Sequence, residues 1–238
     1  MLDLYFWPTP NCYKVAILLE ELELPYSVKP IHIGKGEQFT DAFIAISPNN
    51  KVPALADPNG PDGEPISLFE SGAIMTYLAD KAGSSLAGDT PRDRAEVNQW
   101  LMFQMGSLGP MLGQAHHFRR YAREKIPYAV DRYTDEATRL YRVMDRRLAS
   151  TPFLAGAYSI ADMATYPWIR PHKWQGQSLE DYPHLQRWYS EVRARPAVVR
   201  AVEVMRDRLD RNRDVPKGEA WDRLFGKGQL QGEGAKND

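Results

Sequence analysis

The sequence predicts an α/β unit followed by an all-α unit, in a chain of 238 residues. Three observations carry that expectation. Apolar residues alternate over residues 2–7 and then recur at helical spacing over 13–24, so a strand runs straight into a helix. Short strand-like runs at 26–33, 52–56 and 66–68 follow, separated by turn formers. From Thr90 onward every periodic segment is helical.

The first strand places Leu2, Leu4 and Phe6 on one face, and Pro8 and Pro10 stop it. In the next segment Val15, Ala16, Leu18, Leu19 and Leu22 share a helical face. The junction is strand, tight loop, helix N-terminus, which points free backbone N–H groups and a positive dipole end at a ligand. Residues 26–33 read as a second strand, bounded by Pro25 and Gly34, and 34–38 as a polar loop. Phe39, Phe43 and Ile46 mark a short helix ending before Pro48. The runs 52–56 and 66–68 flank nine residues dense in Pro, Gly, Asn and Asp, the pattern of a hairpin with a long loop. Ser71 then opens a helix carrying Ile74, Met75 and Leu78. A βαβ unit followed by ββα makes a four-stranded mixed sheet with helices packed on it.

Residues 82–89 form a Gly/Ser-rich connector. Thr90-Pro91-Arg92-Asp93 has a cap, a proline at the first helical position and an acid at the third. That helix runs to about Tyr121, and a kink is expected where Pro110 removes a hydrogen bond. Residues 127–148 carry the stripe Tyr133, Ala137, Leu140, Tyr141, Met144 and Leu148. Ser159-Ile160-Ala161-Asp162 caps a helix through Trp168, and 184–194 and 197–209 supply two more. Residues 226–238 lack periodicity and are expected to be disordered. The domain expectation is therefore 1–81, a linker at 82–89, a helical domain at 90–212 and an extension at 213–238.

Composition narrows the function. Thirty basic residues against thirty-one acidic ones leave no charge excess to drive binding to nucleic acid or a membrane surface. A single cysteine allows no internal disulfide. There is no basic-then-apolar leader and no run approaching about 18 apolar residues. A cytoplasmic protein is expected.

Certain stretches are more specific. Thr9-Pro10-Asn11-Cys12 has the frame of the C-P-x-C loop of thioredoxin-like oxidoreductases, with threonine in place of the attacking cysteine. Ser47-Pro48-Asn49-Asn50-Lys51-Val52-Pro53-Ala54-Leu55 and Leu68-Phe69-Glu70-Ser71-Gly72-Ala73-Ile74 follow. The run from Gly106 to Phe118 and the box at Ser159–Asp162 add to them. Together, over roughly residues 1–205, these resemble the soluble glutathione transferases. The details resemble the bacterial nu class, which is related to a yeast nitrogen-regulator prion protein. The resemblance implies an N-terminal thioredoxin-like domain and a C-terminal helical bundle domain. It further implies a homodimer, glutathione as co-substrate, and two glutathiones or one oxidised glutathione per site.

That resemblance implies catalytic roles for Thr9 and Asn11. A free thiol has a pKa of about 8.5, so glutathione must be helped to ionise. Thr9 can donate a hydroxyl hydrogen and Asn11 an amide N–H to its sulfur. The competing role for both is to shape the turn and cap the helix. Val52-Pro53 looks like the cis-proline corner of the fold, whose backbone pairs with the peptide part of glutathione; an ordinary trans turn is the alternative. Glu70 can accept from the γ-glutamyl ammonium, and Ser71 can hold its carboxylate; a capped helix with a solvated acid is the alternative. Gln38 and Lys51 can reach the glycyl end, or can simply be solvated.

Arg119, Arg120, Arg123 and Arg132 are candidates for a second glutathione's carboxylates; the resemblance favours Arg132, and solvated helix faces are the expectation for the other three. Trp7, Met105, Phe118, Tyr166 and Trp174 either line an electrophile side or pack in the core. His116 and His117 are adjacent, point about 100° apart on a helix, and make no metal pair. Cys12, without a partner cysteine, is expected to pack beneath the loop rather than to react.

The activity this implies is glutathione-dependent disulfide reduction by glutathione's own sulfur. The alternatives are conjugation of glutathione to small electrophiles, and a non-catalytic binding or regulatory module.

Overall fold

A computed structural model describes residues 1–208 and 215–232. Four strands form one mixed sheet: β1 (Leu2–Phe6), β2 (Tyr26–Pro30), β3 (Ala54–Asp57) and β4 (Ile66–Phe69), in the order β2-β1-β3-β4. β1 pairs parallel with β2 and antiparallel with β3, and β3 pairs antiparallel with β4. This is the thioredoxin-like mixed sheet that the βαβ and ββα order implies.

α1 (Pro10–Glu21) is central to the packing of the molecule. Every residue from Cys12 to Leu19 is buried, because one face packs on the sheet and the other on the helical part. α2 (Asp41–Ile44) is one turn, and α3 (Ser71–Lys81) packs beside α1. β2 ends at Pro30, three residues short of expectation. Pro30 has no N–H for a ladder, and the chain turns instead through two 3-10 segments, Ile33–Lys35 and Glu37–Phe39.

The helical part begins with α4 (Pro91–Phe103), whose Thr90 and Asp93 form a reciprocal capping box. The expected kink at Pro110 is a π-turn over Gln104–Leu108, closed by Gly109 N–H donating to the Gln104 carbonyl. α5 (Gly109–His116) continues from it and ends in a second π-turn, His117–Tyr121. A widened turn accommodates a proline without breaking the helix, and swings its side chains to new directions. α6 (Pro127–Leu148) lies along α5.

α7 (Ile160–Ile169) runs through the centre, against both α1 and α4. Asp162 is fully buried there. Its carboxylate accepts from the backbone N–H groups of Leu154 (3.0 Å) and Ser159 (3.1 Å), from Ser159 Oγ (3.3 Å), and from Trp188 Nε1 (2.8 Å). Trp188 belongs to α8 (Pro183–Ala194), so one carboxylate ties a loop, a helix cap and a neighbouring helix together.

α9 (Pro196–Glu203) packs on α1 and stops before the expected end at 209. Met205 turns the chain with φ at +53°, and Leu209 lies outside the described residues, as does the expected boundary at 212. α10 (Gly218–Phe225) and a 3-10 stretch, Lys227–Gly232, occupy most of the segment beyond 213, including the part for which disorder is expected; 233–238 lie outside the described residues. Tertiary anchors rather than periodicity hold this segment. Trp221 Nε1 donates to the Tyr121 carbonyl (2.7 Å), Phe225 packs on His117 and Tyr121, and Arg223 donates to the Gly34 carbonyl (3.3 Å). Among the described residues no helix is long and apolar enough to cross a membrane.

Candidate active site

Sheet register brings the expected residues to one place. Tyr5, Ala54 and Phe69 form a continuous rung across β1, β3 and β4. Just past that rung lie Thr9 after β1, Val52-Pro53 before β3, and Glu70-Ser71 after β4. Three separate stretches of sequence therefore meet at one end of the sheet, beside the starts of α1 and α3.

Thr9 is the N-cap of α1, and its Oγ1 accepts from the Cys12 N–H at 3.4 Å. Accepting occupies a lone pair and leaves the hydroxyl hydrogen to be donated elsewhere, so capping and thiolate binding are compatible in one side chain. Asn11 is more tightly directed. Trp168 Nε1, in α7, lies 2.8 Å from Asn11 Oδ1. An indole N–H only donates, so the amide oxygen must face it and the amide NH2 must point the other way. The helical half of the protein thus sets the orientation of a side chain in the first half.

Cys12 is fully buried beneath this loop. Burial pushes its thiol up to about 12, against smaller lowering effects from Thr9 and the Trp7 backbone. The packed role is the one observed. An aromatic disulfide reagent is expected to label the native protein about a thousandfold more slowly than an unfolded thiol, from the missing thiolate fraction alone. Rapid stoichiometric labelling before unfolding would contradict this burial.

The Val52-Pro53 bond is cis, and the corner is braced by Ser47 Oγ donating to the Lys51 carbonyl at 2.9 Å. Glu70 caps α3 with φ at +66°, a left-handed conformation costing on the order of 1–3 kcal/mol for a side-chain-bearing residue and typical of ligand-holding turns. Its carboxylate is exposed and accepts from Asn49 Nδ2 at 3.2 Å. Ser71 is buried at the first turn of α3, its hydroxyl 3.7 Å from Met105 Sδ. Gly72 permits that approach: a Cβ there would sit 3.1 Å from the Met105 methyl. Gln38 is buried, and its Oε1 has no partner among the described residues.

Other expected side chains point away from this cluster or have partners elsewhere. Lys51 is exposed and reaches Gln229 of the C-terminal segment at 3.4 Å. Arg132 lies on the exposed side of α6, 3.9 Å from Glu136, and no described contact links it to the α1 start. Arg119 donates to Thr134, Arg120 lies over Trp174, and Arg123 pairs with Asp222 and stacks on Trp221. Trp7 packs against His32 with tilted rings, Phe118 stacks on Tyr133, and Tyr166 is core. His116 packs between Tyr121 and Trp174. Its imidazole is pushed down to about 4 by burial, then by Arg120 and His117, so it is neutral at neutral pH.

Three residues of the site escape the motifs, and a fourth, Asn49, lies in one without an assigned role. Asn49 orients Glu70, Trp168 orients Asn11, and Gln104 and Lys14 meet beneath them. Of the three outside the motifs, Lys14 carries a signal in the sequence: it is the single charge in the otherwise apolar run from Tyr13 to Leu19.

The family model for the glutathione S-transferase N-terminal domain matches residues 4–86, and that for the C-terminal domain matches 110–196. The disulfide-bond oxidoreductase YfcG of Escherichia coli K12 is 50% identical over 204 residues, covering 85% of this chain and 94% of that one. A glutathione transferase family member from Pseudomonas fluorescens, solved with two glutathiones bound, superimposes with a TM-score of 0.80 at 43% identity, over 85% and 92% of the two chains. One from Pseudomonas putida, solved with one glutathione disulfide per subunit, gives 0.81 at 42% identity, over 86% and 91%.

Proposed function

The chain belongs to the glutathione S-transferase family, and from that premise we propose that it reduces small disulfides with bound glutathione as the attacking thiol. The observation that carries this reading is the contrast at the start of α1. The protein's own thiol is sealed at 0% exposure, while Thr9 and a pre-aimed Asn11 amide stand ready for a bound one. Glutathione would lie with its γ-glutamyl carboxylate on Ser71 and the start of α3, and its ammonium on Glu70. Its backbone would pair with Val52 at the cis corner, and its glycyl end would reach Gln38 and Lys51.

A hydrogen bond to a charged group contributes roughly 1.5–3 kcal/mol and a helix start roughly 0.3–1 kcal/mol. At about 1.36 kcal/mol per unit, these lower the bound thiol's pKa by about one to three units. The thiolate attacks one sulfur of the disulfide RSSR, giving the mixed disulfide GSSR and releasing RS−, which takes up a proton. A second glutathione thiolate attacks the mixed disulfide, giving GSSG and a second RS−. Two glutathiones are oxidised and one disulfide is reduced, and no protein cysteine changes state. Arg132 is the residue of this reading assigned to the second glutathione. The reading includes a homodimer, supported by family membership.

Parallel assays decide it. Reduction of hydroxyethyl disulfide is expected to exceed conjugation of a chlorinated nitroaromatic, and calorimetry is expected to show glutathione binding. Conjugation far above reduction would replace this reading with that of a conjugating transferase, and no binding at millimolar glutathione would replace it with that of a regulatory module.

A further inference from the structure

Lys14 is an anomaly in a packed interface. It is 2% exposed, in the middle of α1, with Tyr13 and Val15 buried on either side. No carboxylate among the described residues forms a salt bridge with it. Its Nζ donates to Gln104 Oε1 (2.5 Å) and to Met105 Sδ (3.4 Å), both neutral and both on the π-turn of the helical half. A buried ammonium is costly to fold around unless charge balances it, and a methionine would fit such a site more stably.

Its position indicates what could balance it. Lys14 is three residues past Asn11, so the two side chains share a face of α1. That face looks onto Gln104, Met105 and Trp168. The Met105 sulfur touches the Lys14 ammonium on one side and the Ser71 hydroxyl on the other. The ammonium therefore sits beneath the converging starts of α1 and α3, two positive dipole ends. Three positive features crowd one spot, an arrangement that an anion stabilises.

Resting on the proposed glutathione site above, we propose that Lys14 is a positioning residue whose buried ammonium is the fixed counter-charge to the thiolate and γ-glutamyl carboxylate of bound glutathione. It acts through the protein, from below, without touching the sulfur. The titratable groups bearing on it are Glu70, from the start of α3, and Cys12, on its own helix; the π-turn presents only uncharged partners. Burial holds the amine down to about 7 in the empty protein, with Glu70 and Cys12 acting to raise it. An arriving anion favours its protonated form in the same way.

The test is Lys14→Met in the full-length chain, read by the ultraviolet absorbance of the bound thiolate across pH. The bound thiol's pKa is expected to rise by about one unit, while the melting temperature stays level or rises. Lys14→Arg is expected to keep the thiol's pKa near the wild-type value. A purely structural lysine would give the opposite pair: a lower melting temperature and an unmoved thiol. A thiol pKa within about 0.3 unit of wild type in Lys14→Met overturns the proposal. Should that variant fail to fold, Lys14→Gln, uncharged yet able to bond Gln104, takes its place with the same readout and the same threshold. Absence of glutathione binding in the wild-type arm sinks the proposed function instead, before any variant is considered.

Discussion

Asn11→Ala is expected to cut kcat/KM for reduction of a small disulfide by about 10- to 100-fold, the kinetic equivalent of losing one hydrogen bond to a charged sulfur. The loss should appear in the thiol's pH profile as a shift toward higher pH, since less thiolate forms at neutral pH. Trp168→Phe is expected to move activity the same way by a smaller factor. It leaves the Asn11 amide in place but removes the donor that holds its oxygen back at 2.8 Å. Freed, the amide can present its oxygen to the thiolate, which repels it. Thr9→Ala should also lower activity, with a stability loss of about 1 kcal/mol from the missing cap. Steady-state kinetics on the three variants checks the set. An Asn11→Ala enzyme within twofold of wild type would show that the amide does not hold the sulfur.

Asp162→Ala is expected to be the most destabilising of these changes, by about 3–5 kcal/mol in a denaturant titration. The carboxylate is fully buried and satisfies four donors from three elements. Removing it strands the Trp188 indole N–H and two backbone N–H groups without water, each a desolvation penalty of about 1–3 kcal/mol. It also opens the reciprocal cap of α7, the helix that carries Trp168 to Asn11. Asp162→Asn keeps the volume but turns a donor toward donors, so it should be destabilised too, by less. A loss below about 1 kcal/mol for the alanine variant would mean that the four bonds are replaced on relaxation.

Most of the fold is legible in the sequence because its signals are local. The period-2 alternation of Leu2, Leu4 and Phe6, the caps at Thr90 and Ser159, and the turn formers between 57 and 65 each act within a few residues. In the C-terminal segment, where structure and expectation part, a distant partner overrules a local rule. Residues 226–232 have no periodicity of their own, yet they follow a helix whose Trp221 and Phe225 dock on Tyr121 and His117, a hundred residues away in sequence. Pro110 predicts a kink, but the π-turn before it keeps the helix going and aims Gln104 and Met105 at α1.

The candidate site divides along the same line. Thr9, Asn11, Val52-Pro53 and Glu70-Ser71 can be named from their motifs, since each sits at a strand end whose chemistry is written in adjacent residues. Whether Asn11 offers its nitrogen or its oxygen, whether Cys12 is open or sealed, and why a lysine is tolerated inside an apolar helix are decided elsewhere. Those answers come from Trp168, from packing on both faces of α1, and from Gln104 with Met105. Residue order determines which backbone ends converge, because strand register and caps are short-range. The direction and charge of the side chains there depend on contacts between two halves of the chain, which exist only once those halves have docked.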